Sequence, residues 1–360
     1  MRVAGGGLSG LATALLLARA GRGVEVWDRR VGGGGRFHGG WQVIENGTTE
    51  ADALEELAGL GLRGFDAIPA RRATFLDGLG GRHQVASARP YAYFVRRGAG
   101  TGCIDATLRA QATGAGVVIH EGQPAPEQVD VVATGPRQAD GVAREVVFNS
   151  DLPNTIVVLF DPRITPTGYA YLFCLGGHAT FGVAQVRRVA GLRDAARGAW
   201  QRFRAELGDF SVRDEREGGQ YMNFSIPRGL RDAAGRWHAG EAAGVQDFLF
   251  GLGNRFALRS AALAAAGVLG RSEPGRFRRT VLAPMRHTVV LRYAYERLGR
   301  RGLARFCRAA SARDFRDFLV WLQRPRAINW APAAVVMAAW RERRGCRHGS
   351  LCAWCRRSER

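Results

Sequence analysis

Apolar and polar positions near the N-terminus follow the pattern of an α/β lobe. An apolar run at Val3 breaks into glycines, an apolar-periodic segment follows from about Ser9 to Ala20, and a second short apolar run ends at Asp28. The segment ADALEELAGLG, from Ala51, has the periodicity of a short amphipathic helix. The pattern therefore predicts a strand, a helix, a second strand and a further helix in succession.

The next stretch is predicted to mix strands with one helix. ATFLDGLGGRHQVASARPYAYFVRRG predicts a hairpin followed by a strand, and GCIDATLRAQATGAGVVIHEG predicts a helix and then a strand that ends near His120. VDVVATGP, from Val129 to Pro136, predicts a buried strand that Gly-Pro ends. The α/β pattern thus continues to about residue 150.

After residue 150 the pattern changes to short β-rich segments. TIVVLFD, GYAYLFCLGGHATFGVAQV and QYMNFSI are separated by turns, as is typical of an antiparallel sheet. RWHAGEAAGVQDFLFGLGNRFALRSAALAAAGVLG then predicts a strand, a loop and a long helix, and the chain from about Arg271 is predicted to be mostly helical. The expected fold class is α/β, with a discontinuous Rossmann-type lobe, an antiparallel β-sheet domain of α+β character and a helical C-terminal extension. The three predicted units comprise residues 1–60, 90–150 and 235–270; residues 61–89 and 151–234; and residues 271–360.

Charge adds an asymmetry to this picture. The chain of 360 residues has a net charge of +20, and all 52 of its basic residues are arginine. Residues 271–360 hold 22 of these arginines and only 6 acids. Such a region fits an anionic membrane surface, although a solvated basic face is an equally good interpretation. No nucleic-acid fold signature accompanies the charge, so no nucleic-acid partner is expected.

The chain is expected to be cytoplasmic, and at most peripheral to a membrane. Its first predicted strand begins almost at Met1, and no apolar run reaches the length of a membrane span. In that compartment its six cysteines should be reduced.

The glycines after the first strand carry the first sign of chemistry. Gly5, Gly7 and Gly10 fit the spacing G-x-G-x-x-G, in which the glycines permit a tight turn, backbone approach to a phosphate and close helix–strand packing. The helix that follows directs its N-terminus at the phosphates. Asp28 can accept hydrogen bonds from a ribose diol and would repel a 2′-phosphate. The spacing predicts a dinucleotide site that is not an NADP site.

Further motifs stand in a recognisable order after this one. They are GGR at Gly34–Arg36, ATG at Ala133–Gly135, GEAAGVQDFLFGLGNRFALRSAALAA from Gly240, and PTGYAYLF at Pro166–Phe173. Over residues 1–270 the chain resembles the geranylgeranyl reductase branch of the p-hydroxybenzoate hydroxylase-like flavoproteins. Because an NAD-dependent dehydrogenase needs no second glycine segment near residue 240, the resemblance implies FAD as a bound cofactor. The cofactor-binding residues that it implies are Gly5, Gly7, Gly10, Asp28, Gly35, Arg36, Arg97, Thr134, Gly135, Gly240, Glu241, Gly251 and Gly253.

The resemblance also implies an activity. Reduced flavin would deliver hydride to a C=C bond of a hydrophobic, isoprenoid-like substrate, and a nearby acid or water would supply the proton. Tyr169, Tyr171 and Phe173 would line the substrate pocket. The electron donor would be NAD(P)H or a redox protein. Two alternatives stay open: a flavin monooxygenase of the same fold, and a flavin-containing electron-transfer or interaction protein.

The chain departs from the family pattern at three positions that bear on the site. Glu241 replaces an Asp, Asp247 replaces a Pro, and Tyr171 replaces a Trp. Asp247 and Tyr171 are therefore the weak candidates for a catalytic group. For Asp247 a helix-capping role is an equally good interpretation.

Several other polar residues have a functional and a structural interpretation. Arg96 and Arg97 match an arginine region that lies near the cofactor in relatives, although a surface arginine at a strand end fits equally well. Cys103 and Cys174 are better explained as small core residues than as reactive thiols. At the C-terminus, the ligand types and spacing of CRHGSLCAWC predict a zinc site or an iron–sulfur cluster, against the alternatives of a frayed end or a redox-active C-x-x-C. The predicted ligands are Cys346, His348, Cys352 and Cys355.

Overall fold

A computed structural model describes residues 1–32, 34, 37–186, 191–271, 274–326 and 330–339. The strands of these residues are β1 (Arg2–Ala4), β2 (Glu25–Asp28), β3 (Trp41–Glu45), β4 (Ile68–Ala70), β5 (Arg72–Asp77), β6 (Arg82–Ala86), β7 (Ala92–Arg96), β8 (Val118–Glu121), β9 (Val131–Val132), β10 (Gly141–Asn149), β11 (Thr155–Phe160), β12 (Gly168–Leu175), β13 (His178–Val186), β14 (Arg213–Met222) and β15 (Trp237–His238). The helices are α1 (Leu8–Arg19), α2 (Ala53–Gly59), α3 (Ile104–Gly114), α4 (Leu192–Leu207), α5 (Asn254–Val268), α6 (Pro274–Phe277), α7 (Ala283–Tyr295), α8 (Gly299–Ser311), α9 (Phe315–Gln323) and α10 (Trp330–Ala339). A 3-10 turn covers Gly240–Ala243, and a π-helical segment, Arg278–Leu282, joins α6 to α7.

A parallel five-stranded sheet forms the first lobe, in the order β15-β9-β1-β2-β8. Helix α1 packs against both α3 and α5, so residues 8–15 and 17 of α1 are buried. Val3, Leu11 and Leu258 belong to the same apolar core. The predicted discontinuous Rossmann-type lobe is confirmed, since α5 and β15 return from far along the chain to complete it.

The second sheet has seven strands in the order β14-β10-β13-β12-β11-β5-β6. Its neighbouring strands are antiparallel except for the β11–β5 pair, which is parallel. A separate three-stranded sheet has the order β3-β7-β4. The antiparallel β-sheet domain predicted from the β-rich segments is confirmed.

Local details differ from the sequence prediction. The strand expected in QYMNFSI ends at Met222 and extends back to Arg213 through the polar residues RDEREGGQYM. Those residues are mostly exposed because β14 is the outer strand of its sheet, so they lack the apolar alternation that marks a half-buried strand. Strand β10, which lies before the predicted division at residue 150, belongs to the seven-stranded sheet. Helix α4 was not predicted.

The C-terminal region is helical through the residues described, as expected. Helix α8 packs on β5 and β6, and α9 packs on α7 and α8. Leu303, Cys307 and Phe318 join Tyr171 and Phe173 of β12 in one buried cluster. The C-terminal helices therefore cover one side of the seven-stranded sheet.

Candidate functional site

A cavity of about 650 Å³ lies between the two main sheets. At one end its wall comes from the loops that follow the carboxyl ends of β1, β2 and β9, including Gly5, Asp28 and Gly135. At the other end it comes from β10, β12 and β14. In parallel α/β sheets, ligands bind at the carboxyl ends of the strands. The cavity is therefore the candidate functional site.

The three glycines of the first loop have different steric surroundings. A Cβ atom at Gly5 would lie 2.3 Å from the Ala133 carbonyl oxygen, and one at Gly10 would lie 1.8 Å from the Gly5 carbonyl oxygen. Gly5 also has φ +104°, which favours glycine. At Gly7, by contrast, no described atom lies within 4 Å of that position, and Gly7 lines the cavity. Gly5 and Gly10 permit the close packing of the loop, and Gly7 leaves its cavity side open.

Two helix N-termini line this one cavity. Helix α1 begins after Gly7 and α5 begins after Gly253, and in the described residues no side chain caps either end. The first N–H groups of a helix lack partners within the helix, and the helix dipole places partial positive charge there. Both ends can hold negative charge. The α1 end suits a pyrophosphate, and the α5 end suits an anionic flavin ring.

Asp28 lines the cavity and organises the loops around it. Its carboxylate accepts hydrogen bonds from the backbone N–H of Gly6 at 2.9 Å and of Arg30 at 2.9 Å. Thr134 and Gly135 line the cavity beside it, and Gly135 has φ +80°. The acid thus holds the glycine loop and the β2 end together, at the place where the sequence expects a ribose.

The second glycine segment, which begins at Gly240, packs directly against helix α1 beside the cavity. Gly240 has φ +62°, and a Cβ atom there would lie 2.5 Å from Ser9 Oγ in α1. Its N–H donates to Ser260 Oγ at 2.8 Å, which ties the segment to α5. Glu241 lines the cavity, and Asn223 Nδ2 donates to its backbone oxygen at 3.1 Å.

Gly251 and Gly253 line the cavity in the turn before α5. Gly251 has φ +73°, and a Cβ atom at Gly253 would lie 2.0 Å from Gln246 Oε1. Gln246 Nε2 donates to the Gly251 carbonyl at 2.8 Å, so the glutamine holds this turn. The resemblance implies both glycines as cofactor-binding residues, and the structure adds that the Gln246 side chain occupies the space that a side chain at Gly253 would need.

Arg97 is a buried wall residue and not a surface arginine. It is 6% exposed, pairs with Asp105 at 2.7 Å, and donates to Asn254 Oδ1 at 2.7 Å. Its guanidinium also lies 4.2 Å from the centre of the Phe37 ring. Arg97 therefore links the first residue of α5 to α3. Arg96 does not line the described cavity wall and donates to the Thr101 carbonyl at 2.9 Å.

The aromatic residues of β12 form the far wall, on one face of the strand. Tyr169, Tyr171 and Phe173 all line the cavity, and the rings of Tyr171 and Phe173 stack with centres 4.8 Å apart. The Tyr169 hydroxyl donates to the Phe250 carbonyl at 2.6 Å. The structure thus brings the predicted pocket residues to the same cavity as the predicted cofactor-binding residues that it describes, except Gly10, which packs against Gly5 and does not line the cavity.

Glu145 is a cavity residue that sequence reasoning missed. It is 6% exposed and accepts hydrogen bonds from Tyr171 Oη, from Gln42 Nε2 at 2.7 Å and from Gln220 Nε2. The available signal was the period of two in β10, where Ala143, Glu145 and Val147 share a buried face. A carboxylate at an inward position of an apolar strand indicates a buried polar site.

Asp247 does not line the described cavity wall. It is 2% exposed, and its carboxylate accepts from the N–H groups of Leu249 at 3.2 Å and Phe250 at 2.7 Å. Burial raises the pKa of Asp247 to about 6. The carboxylate holds its own turn at residues 247–250, so Asp247 has a structural role here, but it does not cap α5 as the helix-capping interpretation expected.

The two cysteines considered as thiols, Cys103 and Cys174, do not line the described cavity wall. Cys103 and Cys174 are buried, and burial raises the pKa of both thiols, as suits core residues. Within the described ranges no group of His, Cys, Asp and Glu side chains is arranged to hold a metal ion. The predicted residues that lie outside the described residues are Gly35, Arg36, Cys346, His348, Cys352 and Cys355.

Comparison with known proteins shows which solved structures have a similar fold. No protein-family model and no curated protein sequence matches the chain. Among solved structures, it is similar to a geranylgeranyl bacteriochlorophyll reductase-like protein from Thermoplasma acidophilum, with a TM-score of 0.68, 17% identity, and coverage of 93% of this chain and 95% of that one. It is also similar to p-nitrophenol 4-monooxygenase PnpA from Pseudomonas putida (TM-score 0.61, 15% identity, 91% and 98% covered). A third similar structure is the myxobacterial chondrochloren halogenase CndH, described as a variant of FAD-dependent halogenases (TM-score 0.56, 16% identity, 95% and 97% covered).

These similarities confirm the resemblance seen in the sequence at the level of the fold. The chain has the fold of this group of flavoproteins, and the similarity extends over both lobes and the C-terminal helices. No helix among the described residues combines the length and apolar character needed to cross a bilayer.

Proposed function

We propose that the chain is an FAD-dependent oxidoreductase that reduces C=C bonds of a hydrophobic, isoprenoid-like substrate. One observation carries the proposal: a single cavity joins the open face of Gly7 and two uncapped helix N-termini to an aromatic wall. The first part fits the diphosphate and ring system of FAD, and the second fits an apolar chain. When bound, FAD would supply hydride transfer.

The protein's own residues would bind and orient the reactants. The α1 N-terminus with Gly7 would hold the pyrophosphate, Asp28 the ribose, and the 240–241 segment the ribityl chain. The α5 N-terminus would stabilise negative charge on the ring. Tyr169 and Phe173 would exclude water and align the substrate. Arg97 would keep α5 in position through Asn254.

The direct test begins with the purified protein. We expect a yellow protein that releases FAD on denaturation. Under anaerobic conditions, the reduced protein should be reoxidised by a polyprenyl substrate but not by its fully saturated counterpart. Protein without flavin, at full yield of folded chain, would overturn the proposal. Equal reoxidation by both substrates would contradict the proposed C=C reduction but would still support FAD as the cofactor.

The two alternatives give different results in the same preparation. A monooxygenase would consume O₂ and hydroxylate the substrate, and PnpA carries a monooxygenase name on the same fold. An electron-transfer protein needs no cavity for a substrate, whereas this chain has a cavity lined by aromatic side chains, which favours an enzyme. The electron donor, either NAD(P)H or a redox protein, is identified by which of them reduces the bound flavin.

We also propose that the exposed face of α8 docks on an anionic membrane surface. Arg301, Arg305 and Arg308 are exposed and span an arc of about 60° on this helix, which contains no acidic residue. The opposite face of α8 packs in the aromatic cluster that includes Tyr171 and Phe173. Arginine side chains beside a lipid surface gain attraction from anionic headgroups. A helix so placed would bring a lipid substrate to the aromatic end of the cavity.

A further inference from the structure

The side chains around Glu145 form a built polar site in an otherwise aromatic wall. Glu145 of β10 pairs with Gly182 of β13, and Gly182 pairs with Tyr171 of β12. A Cβ atom at position 182 would lie 2.2 Å from Tyr171 Cζ, so the tyrosine ring occupies the space that a side chain would fill. Because Gly182 leaves this gap, the Tyr171 hydroxyl crosses β13 and donates to Glu145.

Two glutamines reach the same carboxylate from other strands. Gln42 Nε2 of β3 donates to Glu145 Oε1 at 2.7 Å, and Gln220 Nε2 of β14 donates to Glu145 Oε2. Gln42 belongs to the three-stranded sheet, and Gln220 lies on the outer strand of the seven-stranded sheet. We call Glu145, Tyr171, Gln42 and Gln220 the Glu145 cluster. Four strands converge on it, and all four side chains line the cavity.

In the Glu145 cluster, three uncharged hydrogen-bonding side chains surround one carboxylate. Burial, and then the charge and hydrogen bond of Glu145, raise the pKa of Tyr171, so its hydroxyl keeps its proton. Each glutamine has a second amide hydrogen and a carbonyl oxygen beyond the bond to Glu145. The half-buried glutamines thus present both donors and acceptors on the cavity wall.

We infer that the Glu145 cluster binds the polar head of the substrate, and that this head is a hydroxyl group. The inference rests on the proposed function and narrows its substrate from a hydrocarbon to an amphiphile. A hydroxyl both donates and accepts, which matches the two glutamines. A hydrocarbon would cover the remaining amide hydrogen and carbonyl oxygen of each glutamine and leave them without hydrogen bonds. An anionic head would be repelled by the carboxylate of Glu145.

The test compares two ligands that differ only at the head. The purified flavin-bearing protein is titrated with a prenyl alcohol and with its methyl ether, and binding is read from the flavin absorbance and from tryptophan fluorescence, since Trp41 lines the cavity. We expect the alcohol to bind about tenfold more tightly than the ether. Gln220→Met and Tyr171→Phe should each lower that ratio to about twofold or less.

The control removes a buried tyrosine hydroxyl elsewhere. Tyr295 donates to the Gly168 carbonyl and does not belong to the described cavity wall, so Tyr295→Phe should keep the tenfold ratio. Three outcomes would each overturn the inference: equal affinity for alcohol and ether, no binding of either, or tighter binding of a prenyl diphosphate. In each of these cases bound flavin would still support the proposed function. A folded protein without flavin would overturn the proposed function, and the tryptophan signal would still measure the head-group ratio.

Discussion

At the scale of single residues, glycines decide which atoms can approach one another. Gly7 and Gly182 do this in opposite ways. Gly7 leaves space for a ligand, because no described atom lies where its side chain would be. Gly182 leaves space for another side chain, because the Tyr171 ring fills its position. Substitutions at the two positions should therefore have different consequences.

Gly7→Val should remove flavin without unfolding the protein. Gly7 has φ −83° and ψ −174°, an extended backbone that valine adopts without strain. The new side chain would project into the cavity, where the pyrophosphate is expected. We expect colourless protein whose urea-unfolding free energy is within about 1 kcal/mol of the flavin-free wild type. Gly23→Val, at an exposed glycine with equally open surroundings, should stay yellow. Normal flavin content in Gly7→Val would contradict the assignment.

Gly182→Ala should displace the Tyr171 ring. The added methyl group would overlap Tyr171 Cζ, and overpacking of this kind costs about 1–3 kcal/mol of unfolding free energy. In a Tyr171→Ala background the same change should cost much less, because the ring is gone. A double-mutant cycle by urea unfolding measures this coupling. Additive effects would show that the two positions do not share the space.

At the scale of elements, a buried ionic network fastens α5 to α2 and β3. Arg255 pairs with Glu56 at 2.6 Å and with Glu45 at 3.4 Å, and Arg259 pairs with Glu56 at 2.6 Å. Both arginines are at most 3% exposed. The network orients α5, whose N-terminus lines the cavity, so its loss should affect stability and the site together.

Glu56→Gln should destabilise the protein strongly. It would leave the buried Arg259 guanidinium without its carboxylate partner and Arg255 with only Glu45 among the described residues, which costs about 3 kcal/mol or more. Urea unfolding of this variant measures the loss. Glu55→Gln, at the exposed neighbouring position, should cost less than about 0.5 kcal/mol. Equal stability of the two variants would show that the network contributes little.

The same carboxylate predicts a pH dependence. Burial alone would raise the pKa of Glu56, but the hydrogen bonds and charges of Arg259 and Arg255 outweigh it and lower the pKa below 4.5. A carboxyl group with a lowered pKa in the folded state stabilises the protein above its unfolded value and loses that contribution as the pH falls. The stability difference between wild type and Glu56→Gln should therefore shrink below about pH 4.5. Urea unfolding at several pH values checks this, and a constant difference would contradict it.

At the scale of the whole molecule, charge is distributed unevenly over the fold. Residues 274–326 contain 14 arginines and 3 acids, and they cover one side of the seven-stranded sheet. The exposed face of α8 concentrates three of these arginines above the aromatic cluster. Such an arrangement favours a long-range attraction of this face to anionic surfaces, and salt screens that attraction.

Replacing Arg301, Arg305 and Arg308 with Gln should weaken binding to anionic vesicles about a hundredfold, at about 1 kcal/mol for each arginine. Sedimentation with phosphatidylserine-containing and pure phosphatidylcholine vesicles measures this, and binding should weaken as salt rises. A control with Arg193, Arg213 and Arg216 replaced by Gln changes the same charge at exposed positions on α4 and β14. Equal binding to both vesicle types would remove the electrostatic proposal. Tighter binding to an oligonucleotide would redirect it to nucleic acid.

The terminal cysteines are tested at this scale as well. Cys346, His348, Cys352 and Cys355 remain predicted ligands on their spacing alone. Protein purified without added metal should contain about one equivalent of zinc, or about two to four equivalents of iron for a cluster, and Cys352→Ser should abolish it. Less than about one-tenth of an equivalent, with freely titratable thiols, would contradict the prediction.

The sequence by itself determined the features that depend on neighbours along the chain. The glycine loop before α1, the apolar period of α1 and the alternating aromatic residues of β12 are local patterns, and each predicts its element. The resemblance to the flavoprotein branch also followed from short motifs. The N-terminal part of β14, before Gln220, escaped prediction because an outer strand needs no apolar face.

Only the tertiary structure decided which side chains meet in the cavity. Glu145 and Gln220 lie far apart in the sequence, and they meet because β14 pairs with β10 in one particular register. From the sequence Asp247 is a candidate catalytic group, but the fold buries its carboxylate in its own turn. Periodicity records only local geometry, whereas strand order and register depend on the packing of the whole chain, and these set the contacts of each polar side chain.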